Sequence, residues 1–141
     1  MVSVSRGRAA VVVMIAALLL AGCSAADEPA PSDGDASGQQ YPDVQDVAVS
    51  AADDGTYTFD VTISSPYDSA ERYADGWRVL GPDGEVYGEM ELTHDHASEQ
   101  PFTRTQTGVE IPDGVDTVTV EGRDSENGYG GKRADVDIRS G

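Results

Sequence analysis

Tyr57-Thr58-Phe59-Asp60-Val61-Thr62-Ile63-Ser64 alternates large apolar and short polar side chains without a break. Successive side chains of an extended chain point to opposite faces. Tyr57, Phe59, Val61 and Ile63 therefore share one face, and Thr58, Asp60, Thr62 and Ser64 the other. A period of two in such a run predicts a half-buried strand over 56–64. The same period recurs on both sides. Segment 44–51 sets Val47 and Val49 on one face, and 74–80 carries Trp77 and Val79. In 85–92, Val86, Met90 and Leu92 oppose Tyr87, Glu89 and Glu91. Segment 116–122 turns Val118 and Val120 inward and Thr117, Thr119 and Glu121 outward; 133–139 does the same with Val136 and Ile138. In 102–111, Phe102 is out of parity with Val109 and Ile111, which predicts a bulge or bend between them.

The punctuation agrees. Asp54-Gly55, Pro82-Asp83-Gly84 and Pro112-Asp113-Gly114 carry turn chemistry, and Gly81 to Gly84 predicts a tight hairpin. No helical stripe interrupts the alternation. Seven short strands predict an all-β fold, a sandwich of immunoglobulin or fibronectin type III kind, over 43–141. Trp77 falls on the third strand, where such sandwiches bury an aromatic. Cys23 is the single cysteine, so the inter-sheet disulfide of antibody domains is absent and the fibronectin type III-like form is the closer expectation.

The first 42 residues have another composition. Arg6 and Arg8 precede an unbroken apolar run from Ala9 to Leu20, too short to span a bilayer, which takes about 20 residues. It closes on Leu20-Ala21-Gly22-Cys23, which resembles the lipobox of bacterial lipoproteins. The resemblance implies that residues 1–22 are a signal peptide, that Cys23 is thioether-linked to diacylglycerol, and that cleavage leaves Cys23 as the first residue. Two acyl chains, at about 0.8 kcal/mol per buried CH₂, would hold the chain on a membrane with on the order of 20 kcal/mol. The expected location is the extracytoplasmic face of the cell membrane. Ser24 rather than Asp would favour the outer membrane in a Gram-negative cell. The excess of Arg over Lys inclines the expectation to a Gram-positive source. Residues 23–42 (CSAADEPAPSDGDASGQQYP) hold almost no large apolar side chains and predict a lipidated cysteine followed by a flexible acidic linker.

Charge narrows the partners. The chain has 26 acidic and 9 basic residues, a net charge of −17. Losing residues 1–22 removes two cations and no acid, which leaves −19. Nucleic acid is excluded as a partner, since phosphate contacts need Lys and Arg. Such a charge keeps a surface domain soluble, or serves to capture cations or a basic partner.

Three segments carry chemistry. His94 and His96, the two histidines, stand two apart, so on an extended strand both point the same way. Together with Glu99, or with Asp124 or Glu126 if the loops converge, they form a candidate site for a divalent transition metal such as Cu or Zn. The bland alternative is two histidines in a polar loop. Arg104 follows directly, either as a contact for a bound carboxylate or as the partner of a local acid. Asp124 to Lys132 (DSENGYGGK) lies between the last two strands; Asp124, Tyr129 and Lys132 are its candidate ligand or partner contacts. Gly131-Lys132 fails as a phosphate loop, because Glu126 and Arg133 stand where Gly and Ser or Thr belong. No Gly-x-Ser-x-Gly elbow occurs, and no activated nucleophile is marked.

The run from Asp75-Gly76-Trp77-Arg78-Val79 through Gly81-Pro82-Asp83-Gly84, His94-Asp95-His96, Glu99-Gln100-Pro101-Phe102-Thr103-Arg104, Gly108-Val109-Glu110-Ile111-Pro112 and Gly128-Tyr129-Gly130-Gly131-Lys132 resembles a family of small exported bacterial proteins of unknown function. The likeness covers about residues 73–138 and implies no activity. The sequence predicts a non-catalytic module, lipid-anchored through Cys23, that binds an unknown protein or small ligand or associates with the envelope. The alternative is a metal-binding lipoprotein using His94 and His96.

Overall fold

The structure, a computed structural model, describes residues 38–140. The expected signal peptide, Cys23 and residues 24–37 of the expected linker lie outside the described residues. Eight strands follow one another: β1 Asp43–Ala51, β2 Tyr57–Ser64, β3 Ala74–Leu80, β4 Val86–Glu91, β5 Phe102–Val109, β6 Thr117–Asp124, β7 Gly128–Tyr129 and β8 Ala134–Asp137. One turn of 3₁₀-helix, Ile138–Ser140, ends the described chain. Every strand pair is antiparallel. One sheet runs β1-β2-β5; the other runs β4-β3-β6, with β7 and β8 both paired to β6. The short β7 was not expected from sequence. Among the described residues no helix is long and apolar enough to cross a membrane.

Alternation dictates the core. Phe59, Val61 and Ile63 of β2 are fully buried and meet Trp77 and Val79 of β3 and Val118 and Val120 of β6. The expected bulge is present in β5: Tyr57 pairs with Val109 but Phe59 with Gln106, so one extra residue is taken up around Gly108, at φ +70°. The expectation for Val86 does not hold. Leu80 pairs with Val86 while Val79 pairs with Gly88, so a bulge at Tyr87 breaks the period of two. Val86 is left 44% exposed, and Tyr87 packs against the core in its place.

Gly76 shows how closely β3 and β4 approach. Its φ is +154°, and a Cβ there would overlap the carbonyl oxygen of Met90 on the facing strand. Backbone cannot swing aside as a side chain can. Gly76→Ala is therefore expected to lower the unfolding free energy by about 1–3 kcal/mol, the usual range for forced overpacking, read as a lower urea midpoint.

Candidate functional site

Antiparallel register decides which loops meet. Asp43 at the start of β1 pairs with Ser64 at the end of β2, and Ile63 pairs with Phe102 at the start of β5. Ala74 at the start of β3 pairs with Asp124 at the end of β6. The β2–β3 loop (65–73), the β4–β5 loop (92–101) and the β6–β7 turn (124–128) thus gather at one end, where the chain also enters the domain. His94 to Gln100 and Asp124 to Gly128 lie at this end, each tied to the β2–β3 loop: His96 to Asp68 and Asp124 to Arg72.

The β4–β5 loop is laced to the β2–β3 loop. Asp68, 6% exposed, accepts hydrogen bonds from the backbone N–H of His96 (2.9 Å) and of Ala74 (3.0 Å). The Ser65 N–H donates to Gln100 Oε1 (2.6 Å), while Gln100 Nε2 donates to Ser65 Oγ and to the His96 carbonyl (both 3.1 Å). β4 ends at Glu91, so the histidines sit in a loop rather than on the extended strand the spacing suggested. Their rings still lie together, 4.7 Å between centroids and tilted by 35°. They are not equivalent: His94 is exposed, whereas His96 is 2% exposed and stacks on Phe102 at 3.9 Å and 13°.

Neither ring nitrogen of His96 has a hydrogen-bond partner. Its Nδ1 is 4.0 Å from Asp68 Oδ2, beyond hydrogen-bond reach. Each unsatisfied buried group costs about 1–3 kcal/mol. Burial, then the positive charges of Arg104 and His94, hold the His96 imidazole below its ordinary value of 6.5, against the pull of Asp68 and Glu99. The ring is therefore neutral at pH 7. Among the described residues no group of three or more His, Cys, Asp and Glu side chains is placed to hold a metal ion. Glu99 is engaged elsewhere, with Arg104 Nη2 at 2.7 Å, and this bond holds its carboxyl below the usual range.

Asp124, 1% exposed, is the hub of the β6–β7 turn. Its Oδ1 accepts from the Asn127 backbone N–H (2.8 Å), Asn127 Nδ2 (2.7 Å) and the Glu126 N–H (3.2 Å). Arg72 Nε reaches its Oδ2 at 3.1 Å. Burial raises the Asp124 carboxyl, but the Asn127 and Arg72 hydrogen bonds more than offset this and hold it below the ordinary 3.8. The Arg72 guanidinium also covers the Tyr67 ring at 4.2 Å and donates through Nη2 to the carbonyls of Gln39 (3.2 Å) and Gln40 (2.7 Å). The Tyr67 hydroxyl is buried without a partner, and burial with the Asp124 charge pushes its phenol well above the usual range.

The glycines of the β6–β8 segment have a packing role that sequence did not reveal. Pro42 is fully buried, in contact with Gly122 and Gly131. A Cβ on Gly130 would meet the Tyr41 ring at 2.6 Å. The Lys132 N–H donates to Asp43 Oδ1 (2.8 Å), and its carbonyl accepts from the Val44 N–H (2.9 Å). Residues 39–42, assigned to the linker from composition, are thus fastened to the sandwich.

The remaining candidates are placed as follows. Arg104 is paired to Glu99, the local-acid alternative. Tyr129 folds back over the sheet: Arg78 lies 3.9 Å above its ring, and its hydroxyl donates to Glu89 (2.9 Å). Arg78 in turn covers Glu121, 8% exposed and expected outward, through a 2.7 Å ion pair. The Lys132 side chain is exposed. Ser65, Tyr67, Asp68, Arg72 and Gln100 carry much of this end and were not singled out from sequence. Segment 65–73 has no period, and their partners are about 30 to 50 residues away. A lone Arg in an acidic, aperiodic stretch was the one available signal.

No protein-family model matches the chain. No solved structure matches it. A protein of Halomicrobium mukohataei, named as a candidate lipoprotein, is 41% identical over 98 residues, covering 70% of this chain and 48% of its own length. The chain thus spans about half the length of that curated relative.

Proposed function

We propose that the chain is a lipid-anchored binding or envelope-associated module on the extracytoplasmic face of the cell membrane, without catalytic activity, and that it binds through the loop end at which the chain enters. The observation that carries the anchoring is the 41% identical relative named as a lipoprotein, together with the resemblance of Leu20-Ala21-Gly22-Cys23 to a lipobox. A further observation supports binding at the loop end. The three buried side-chain polar atoms without a partner among the described residues are Tyr67 Oη and the two ring nitrogens of His96, and all lie in the two loops there. The two-sheet order, β1-β2-β5 against β4-β3-β6-β8, supports a fibronectin type III-like variant of the immunoglobulin sandwich.

The anchor is tested by detergent-phase partitioning and mass spectrometry of native material. The expected result is a chain that begins at Cys23, carries diacylglycerol and enters the detergent phase, and a Cys23→Ala chain that does not. Recovery of an intact Met1 and a free thiol would overturn the placement. Titration with Cu²⁺ and Zn²⁺ separates the binding module from a metal protein. The expected result is an unchanged melting temperature and no binding heat; a saturable rise in both would replace this proposal with metal binding.

A further inference from the structure

We infer that the domain is built for molar salt: screening counter-ions are part of its folded state, and dilution of the salt unfolds it. Residues 38–140 carry 22 carboxylates against seven Arg and Lys side chains, a net charge of −15. Five of the six arginines there are already engaged, Arg72 with Asp124, Arg78 with Glu121, Arg104 with Glu99, Arg123 with Asp75 and Arg139 with Asp116. Glu126 also lies 3.9 Å from Arg72. The other 16 carboxylates have no Arg or Lys ion-pair partner among the described residues. The strands set several of them side by side. Glu89 and Glu91 on β4, and Asp135 and Asp137 on β8, stand two apart on the exposed face of an edge strand, about 7 Å from each other. On the other sheet, Asp46 pairs with Thr62 and Ala48 with Asp60, so Asp46 and Asp60 are diagonal neighbours on its outer face, about 7–8 Å apart. The screening length is about 10 Å in 0.1 M salt and about 3 Å in 1 M. Each of these pairs therefore repels in dilute salt and is screened in molar salt. Unfolding spreads the charges, so the repulsion weighs on the compact state. A second observation agrees. Among the described residues, Val86 is the one large apolar side chain that is exposed. So little exposed hydrocarbon leaves concentrated salt little to drive into aggregates. At a screening length of about 3 Å the net charge no longer steers a distant basic partner, which leaves only direct contacts for recognition.

Trp77, the single tryptophan, is fully buried and reports the fold. Its fluorescence and the far-ultraviolet circular dichroism of the full chain are followed as NaCl is diluted from about 2 M to about 0.05 M. The expected result is a reversible, cooperative transition in which the emission moves to the red as the strand signal is lost, with one midpoint for both probes. The triple variant Asp46→Asn, Glu91→Gln and Asp137→Asn removes one charge from each like pair and breaks none of the five ion pairs. Its midpoint is expected at a salt concentration lower by about twofold or more. A chain that stays folded at about 0.05 M NaCl with a melting temperature independent of salt would overturn the inference. So would a midpoint unmoved in the triple variant, or full rescue in dilute salt by sucrose, which favours burial without screening charge. The sucrose comparison needs no variant and holds if the triple variant does not fold. None of these readouts depends on Cys23 or on a bound partner, so failure of the anchor and failure of the salt requirement are distinguishable.

Discussion

Trp77→Ala is expected to lower the unfolding free energy by about 3–5 kcal/mol, the usual cost of emptying a buried aromatic site. Trp77 is fully buried at the centre of β3, and its Nε1 donates to Gln106 Oε1 on β5 at 2.8 Å. That bond runs between the two sheets, inside the core. The substitution removes the largest fully buried side chain and strands the Gln106 amide, 7% exposed, against a cavity. Total stability of a domain of this kind is about 5–15 kcal/mol, so the substitution is expected to remove a large share of it. Trp77→Phe separates the two effects. It keeps most of the volume and loses the donor, and is expected to cost about 1–3 kcal/mol for the unsatisfied amide alone. Urea denaturation followed by circular dichroism reads both. Equal losses for Ala and Phe would show that the hydrogen bond, rather than packing, dominates.

Asp124→Ala is the second large effect, expected at about 3–5 kcal/mol because one member of a buried ion pair is removed and the other remains. Arg72 would lose its buried counter-charge and be left with only the exposed Glu126 carboxylate at 3.9 Å, and its Tyr67 face and its bonds to the Gln39 and Gln40 carbonyls would loosen. The two N–H groups of Asn127 and that of Glu126 would lose their acceptor. The effect reaches the entering chain, since Asp124 positions both Arg72 and Asn127, whose side chains donate to the carbonyls of residues 39 and 40. Limited proteolysis is expected to cut between Gln39 and Asp43 in the variant and not in the wild type. The pH dependence has a fixed sign. The Asp124 carboxyl is depressed in the folded state, so its stabilisation is full above 3.8 and disappears as pH falls through the lower folded value. The acid limb of wild-type stability is expected to steepen there, and Asp124→Ala to flatten it.

Much of the fold was legible because a strand's period is local. Six of the expected strands could be drawn from alternation and turn residues, and the bulge in β5 from a parity conflict between Phe102 and Val109. The failure at Val86 has the same origin. A bulge inserts one residue, shifts the faces of everything beyond it, and leaves no mark in composition when the inserted residue is itself apolar. The loop end was half legible. The histidines and the glycine-rich segment drew notice, but their roles differed from expectation. Gly122, Gly130 and Gly131 are small because Tyr41 and Pro42 lie on them.

The chain's own order of residues determined the all-strand architecture, the acidic surface and the apolar run from Ala9 to Leu20 ahead of Cys23, because periodicity, charge and run length are properties of neighbours along the chain. Tertiary structure alone decided that Asp68 closes the His96 loop, that Arg72 and Asp124 hold the entering segment, and that one imidazole is sealed while its neighbour two residues away is exposed. Those facts depend on which strand ends the antiparallel register brings together, and on the burial that results. Neither is a function of local sequence.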